Sequence, residues 1–237
     1  MSYYDHYAES PVTDIGSWMK RKAAKRQVAL LEHHLANRDA RILEIGPGSG
    51  HLAIALLEAG YHNYEAVEPN DILRGRLESI GVPLKDYLIP CLLEEDASYD
   101  VIVLCHVFEH LRSPVEVERF MTEARRVLRS GGLLWILSPD FLHAGKDFFN
   151  GDYGHNNVTT LRRTMQLLHD HGFRTIWHSY HSGFFQGFVA TAVSYLVRLS
   201  LFWAHGSGLD DKLYNIKTTF LRSFLVGGRK LPPNISM

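Results

Sequence analysis

The sequence predicts an α/β fold on a doubly wound, mainly parallel sheet, and three observations carry that reading. Between residues 41 and 177, short apolar runs alternate with longer segments of helical periodicity. One run, Val101-Ile102-Val103-Leu104, is continuously apolar, as a parallel strand buried on both faces requires. The strand that ends at Ile45 runs into Gly46-Pro47-Gly48-Ser49-Gly50, a strand-to-helix turn whose glycines lack the Cβ that would hold a ligand away.

In chain order, residues 14–37 predict an amphipathic helix with a basic first half (Lys20, Arg21, Lys22, Lys25, Arg26) and an apolar second half. A strand over 41–45 leads into a helix over 50–59 that stops at Gly60. The next strand, Tyr64–Val67, ends at Glu68-Pro69-Asn70 and is followed by a helix over 71–79. Pro83 confines a short strand at 82–85 to a sheet edge. After the strand Tyr99–Leu104, Ser113 and Pro114 provide the N-cap and first position of a helix reaching Leu128. Gly131-Gly132 predicts a turn into a strand over Leu133–Leu137. A helix over Thr159–His169 and a strand over Phe173–Trp177 complete the alternation.

Lys and Arg number 25 against 26 Asp and Glu, a net charge of −1, so no overall basic field invites nucleic acid. The two cysteines, Cys91 and Cys105, have neither zinc spacing nor a disulfide framework, which fits a reducing compartment. With a polar, aromatic N-terminus that lacks a signal-peptide core, this predicts a cytoplasmic protein.

Three ligand readings compete for the glycine turn. A dinucleotide fingerprint needs a third glycine where His51 stands, and a phosphate-binding P-loop needs a lysine that is absent. What is present in full is Glu44-x-Gly46-x-Gly48-x-Gly50, and Glu44 suits a ligand that carries a cation. Ligands of open α/β sheets bind beyond the carboxyl ends of the strands, which places Glu68 beside this loop. The segments Asp100–Leu111 and Val127–Leu134 follow in order. Together these four stretches resemble the motifs of the class I S-adenosylmethionine-dependent methyltransferases over about residues 40–175. They are most similar to the small-molecule branch, which includes quinone-biosynthesis and sugar or polyketide O-methyltransferases.

The resemblance implies a Rossmann-like, mainly parallel seven-stranded sheet with helices on both faces. It implies S-adenosyl-L-methionine as cofactor and S-adenosyl-L-homocysteine as product. Gly46, Gly48 and Gly50 would admit the cofactor backbone, Glu44 would orient the loop, and Glu68 would hold the ribose hydroxyls. Cys105 and His106 would border the methionine part, and Asp86 would reach the adenine amino group. Gly151-Asp152-Tyr153-Gly154-His155 resembles a segment that such enzymes place beside the acceptor, so His155 is a candidate general base for an acceptor hydroxyl; His143 is the next. His106-Val107-Phe108-Glu109-His110 also matches an inverted zinc-protease motif. It directly follows a buried strand, is cut off by Ser113-Pro114 and shows no third ligand, so no metal is expected.

The expected organisation of 1–237 is one methyltransferase domain: an N-terminal helical cap (1–40), a cofactor-binding core (41–180) and an apolar, mostly helical extension (181–237). No charged residue occurs between Arg174 and Arg198, and residues 183–204 are strongly apolar. That stretch reads as a core helix or lid, a homodimer face, a peripheral membrane contact or, least well supported, a spanning helix. The seventh strand fits either this stretch or Phe220–Val226, whose basic tail Arg229-Lys230 would suit an anionic lipid surface. The function these readings favour is methyl transfer to a small-molecule acceptor, a hydroxyl of a sugar, glycan precursor or lipid-like compound. The rivals are a non-catalytic partner acting through its apolar C-terminal surface and an NAD(P)-dependent oxidoreductase.

Overall fold

The computed structural model describes residues 4–9, 13–206 and 208–232. Among these, eight strands form one sheet: β1 (Ile42–Ile45), β2 (Tyr64–Val67), β3 (Leu84–Lys85), β4 (Tyr99–Cys105), β5 (Leu128–Pro139), β6 (Phe173–Ser182), β7 (Phe185–Gln186) and β8 (Ser223–Lys230). Their order is β3-β2-β1-β4-β5-β8-β6-β7. The pairs from β3 to β5 are parallel, whereas β8 runs antiparallel to both β5 and β6.

Successive residues of a strand point to opposite faces, and each face here has its own core. Leu43, Ile45, Ile102 and Leu104 enter one cluster with Phe120 and Leu168. Ile42, Val101 and Val103 enter the other with Val28, Leu31 and Leu56. The helices follow that division. α1 (Asp5–Ala8) and α2 (Asp14–Glu32) precede the sheet, and α3 (His51–Glu58) and α4 (Asp71–Glu78) follow β1 and β2. α5 (Pro114–Val127) covers the opposite face with Val117, Phe120, Met121, Ala124 and Val127, a helical spacing. Its N-cap is Ser113, whose hydroxyl accepts from the Glu116 amide. Two single-turn helices, α6 (Phe141–Ala144) and α7 (Asp147–Asn150), lead towards α8 (Leu161–Asp170), which Thr160 caps. The last helices are α9 (Gly187–Ser200) and α10 (Asp211–Phe220).

Several boundaries depart from the sequence expectation. The sheet has eight strands rather than seven, because the two-residue β7 folds back on β6 at the edge. Gly131-Gly132 is no turn into β5; it lies inside that strand at a break in register with β4, and Gly131 takes φ +77°. The strand whose position was open is β8, in the second apolar patch, wedged between β5 and β6. Glycine at 227 makes this fit: a Cβ there would stand 2.6 Å from the Trp135 ring. The basic tail faces inward. Arg229 donates to the Gly131 and His34 carbonyls, and Lys230 to that of Leu128.

α9 has 14 residues, a length of about 21 Å against a hydrocarbon core of about 30 Å. No helix among the described residues is long and apolar enough to cross a membrane. α9 buries Ala190 and Ser194 and leaves Phe188, Leu196 and Leu199 exposed. α10 is tied to α7 by a buried ion pair, Lys217 Nζ to Asp147 Oδ2 at 2.8 Å, and the same ammonium donates to the Ala204 carbonyl. Removing one partner strands the other charge in a dry site. Lys217→Met is therefore expected to lower stability by about 3–5 kcal/mol, and adding Asp147→Leu to recover most of it. Thermal unfolding of the single and double variants checks this; a neutral single variant would show that the pair is dispensable.

Candidate active site

The carboxyl ends of β1, β2 and β4 meet at one cavity of about 1210 Å³. At its β1 end, Gly46 takes φ +65°, and a Cβ at that position would fall 2.6 Å from Val107. Its amide donates to the Val67 carbonyl, which closes the loop onto β2. Glu68, 4% exposed, organises the next layer. Oε2 accepts from the Gly48 amide at 3.2 Å and Oε1 from the Asn70 amide at 3.0 Å. Burial nevertheless leaves its carboxyl above the ordinary range. Asn70 in turn caps α4 through Leu73 and donates to Asp5 of α1.

Glu44 lies beneath the loop, almost fully buried, and accepts the Tyr64 hydroxyl. Burial pushes its pKa to about 7, against the pull of Tyr64 and with help from the nearby Glu68 charge. At the end of β4, Cys105 Sγ lies 3.3 Å from Gln27 Oε1 of α2. His106 adopts φ +58°, a backbone state that L-residues rarely take and that clusters at functional sites.

Beyond His106, Phe108–His110 forms one 3-10 turn. Glu109 is fully buried there; its Oε2 accepts the Ser138 hydroxyl at 2.8 Å. Burial alone would raise this carboxyl, but the His106 and His110 imidazoles outweigh it and hold it below its ordinary value. The Glu109 carbonyl accepts the amides of Asn156 and Asn157, which docks the loop carrying His155 onto the turn. The His110 and His155 rings lie 4.8 Å apart between centroids. His110 Nδ1 is 2.7 Å from the Tyr4 hydroxyl, which donates to Asp152. His155 Nδ1 donates to the Phe148 carbonyl at 2.6 Å.

Glu44, Gly46, Gly48, Glu68, Cys105, His106 and His155 all line this cavity. Three of the expected residues stand elsewhere. Gly50 caps α3 at φ +73° with its Cα against Leu77, and does not line the cavity. Asp86 is exposed and salt-bridged to Arg74 at 2.6 Å, because β3 ends at the sheet edge where α4 presents that guanidinium. His143 is buried in α6 against the edge of Tyr195, with burial lowering its pKa to about 4. Residues that sequence reasoning passed over include Tyr4, Gln27 and His181, which also line the cavity. Only the aromatic N-terminus hinted at the first; nothing in the local sequence distinguishes the other two.

These residues fit the expected cofactor: a glycine loop that a single Cβ would obstruct, and two buried carboxylates, Glu44 and Glu68, lining the same cavity. The family described as a methyltransferase domain matches residues 15–178, and the chain belongs to that family. No curated protein matches it in sequence. Among solved structures, the methyltransferase in complex with the Trm112 activator of Haloferax volcanii is similar at 13% identity and TM-score 0.70, covering 98% of this chain and 99% of that one. A candidate sarcosine dimethylglycine methyltransferase of Galdieria sulphuraria follows at 16% identity and TM-score 0.62, over 97% and 92%. An S-adenosylmethionine-dependent methyltransferase of Thermotoga maritima is similar at 17% identity and TM-score 0.58, over 90% and 92%. The protein is an S-adenosylmethionine-dependent methyltransferase.

The Glu44 pKa gives this site a pH signature. Only the ionised carboxylate attracts a cationic ligand, so binding below about pH 7 must first release its proton. S-adenosylmethionine affinity is expected to weaken by up to about tenfold per pH unit below 7 and to level off above about 8. Calorimetric titration across that range checks it. Glu44→Gln should flatten the profile, and a wild-type affinity independent of pH would remove Glu44 from cation recognition.

Proposed function

We propose that the protein methylates a hydroxyl of a small-molecule acceptor, with the lipid-like end of the range favoured over a bare sugar. The observation that carries this reading is that one cavity is lined both by the glycine loop with Glu44 and Glu68 and by Glu109, His110 and His155. The lining is apolar where α2, α10 and Phe184 contribute, with Ile15, Met19 and Ile216 among the contacts. Lys20 and Lys212 stand in the same wall and suit an acceptor that pairs an apolar body with an anionic group.

S-adenosylmethionine supplies a methyl group made electrophilic by its sulfonium. The chain's task is to hold the acceptor oxygen in line with it and to take up the hydroxyl proton. His155 suits the second task. Its Nδ1–H is committed to the Phe148 carbonyl, so Nε2 is the nitrogen that bears a lone pair. The oxidoreductase reading would need a third glycine where His51 stands, and the non-catalytic reading has no use for a complete cofactor end.

Two variants separate the ends. Glu68→Ala should abolish micromolar S-adenosylhomocysteine binding measured by calorimetry, whereas wild-type protein that binds none would sink the assignment of this loop. His155→Ala should lower kcat by about 10²–10⁴ with S-adenosylhomocysteine affinity within about twofold. Transfer of labelled methyl groups to a panel of hydroxylated amphiphiles supplies the rate, and an unchanged kcat would exclude His155 as the base.

A further inference from the structure

We propose that Glu109, His110 and His155 form a binding site for one divalent transition-metal ion at the acceptor end of the cavity. One potential ligand atom from each residue lies within 4.8 Å of the others. Bonds of about 2.1 Å in a tetrahedral site put ligand atoms roughly 3.4 Å apart, so small side-chain rotations close the set.

The hydrogen bonds around the cluster point the same way. The Tyr4 hydroxyl has one proton, and Asp152 receives it. His110 Nδ1, 2.7 Å from that hydroxyl, must then carry its own proton and donate it, which leaves Nε2 with a lone pair. His155 is in the same state, with Nδ1–H on the Phe148 carbonyl. Metal-bound histidines are typically held in this way, by an outer partner that fixes the tautomer.

Glu109 supplies the second, independent observation. Its side chain is fully buried, and while Oε2 accepts from Ser138, Oε1 makes no hydrogen bond. His106 Nδ1 stands 3.4 Å from that oxygen, too far for a good hydrogen bond. A buried carboxylate oxygen that accepts no hydrogen bond, in a cluster with two imidazoles, favours a cation there. The cluster is also rigid, since the Glu109 carbonyl holds the two residues after His155 through their amides.

Two imidazoles and one carboxylate suit zinc, cobalt or iron rather than magnesium, which prefers oxygen ligands throughout. All three residues line the cavity, so coordination positions remain for an oxygen of the acceptor. The half-motif Glu109-His110 follows β4 in the sequence, and the third ligand arrives from a loop 45 positions further on, beyond β5. The proposal rests on the methyltransferase reading only for what the ion would hold: with an ion bound, His155 Nε2 is a ligand rather than the base, and the ion itself would acidify the acceptor hydroxyl; the site is testable without turnover.

Chelator-treated protein titrated with cobalt(II) should take up one ion per chain with visible absorption bands, and zinc should displace it. His110→Ala and His155→Ala should each weaken uptake by at least about tenfold, and Tyr4→Phe by about 10–100-fold through loss of the outer partner. Each variant is also titrated with S-adenosylhomocysteine, so that retained binding certifies a folded cofactor end. Wild-type protein that binds S-adenosylhomocysteine but takes up neither cobalt nor zinc would overturn the proposal, as would histidine variants that both take up metal as tightly as wild type. Failure to bind S-adenosylhomocysteine, with metal uptake intact, would overturn the cofactor assignment instead.

Discussion

The Glu68 carboxylate accepts the Gly48 amide on one oxygen and the Asn70 amide on the other, and most of the site's geometry hangs from that pair of bonds. They join the loop after β1 to the loop after β2, two segments that the sheet alone would leave free beyond their last ladder bonds. Asn70 passes the constraint to α4 as its cap and to α1 through Asp5. A buried acid held in this way has no freedom to rotate, yet each oxygen retains a lone pair for a ligand hydroxyl. The cost of burying it is visible in its raised pKa.

The proposed acceptor end is built by a different device. Here a turn of one residue pattern, Phe108–His110, is locked to a distant loop by main-chain bonds from Asn156 and Asn157 to the Glu109 carbonyl. The Asn157 side chain adds a bond to the Phe108 carbonyl. Side-chain chemistry is thereby placed by backbone contacts, which tolerate little drift. Both groups reach one cavity because β1 and β4 are neighbours in the sheet, with Ile45 in register with Leu104.

How much of this was legible in the sequence depended on range. Glu44, Gly46, Gly48 and Glu68 could be read because strand ends and the residues just beyond them are local features, and the topology of a parallel sheet brings them together. Cys105, His106 and His155 followed from resemblance to a family and do line the cavity. Asp86 and His143 do not line the cavity, and for a shared reason: each follows a strand, but its carboxylate or ring meets a partner distant in sequence, Arg74 in one case and Tyr195 in the other. Gly50 lies in the expected turn but not in the cavity lining; its positive φ serves the start of α3. The position of β8 was illegible because its insertion between β5 and β6 depends on Gly227 meeting the Trp135 ring, a contact between residues far apart in the chain. Glu109 and His110 were noticed in the sequence as part of a zinc motif and set aside for want of a third ligand, because His155 lies 45 positions further on.

Residues 4 and 5 touch both ends of the cavity. Tyr4 contacts His110 and Asp152 at the acceptor end, and Asp5 contacts Asn70 beside the cofactor loop. A ligand that tightens either contact orders the same short helix and so favours the other contact. Occupancy of the two parts of the cavity would then be linked through α1, each ligand raising the affinity for the other.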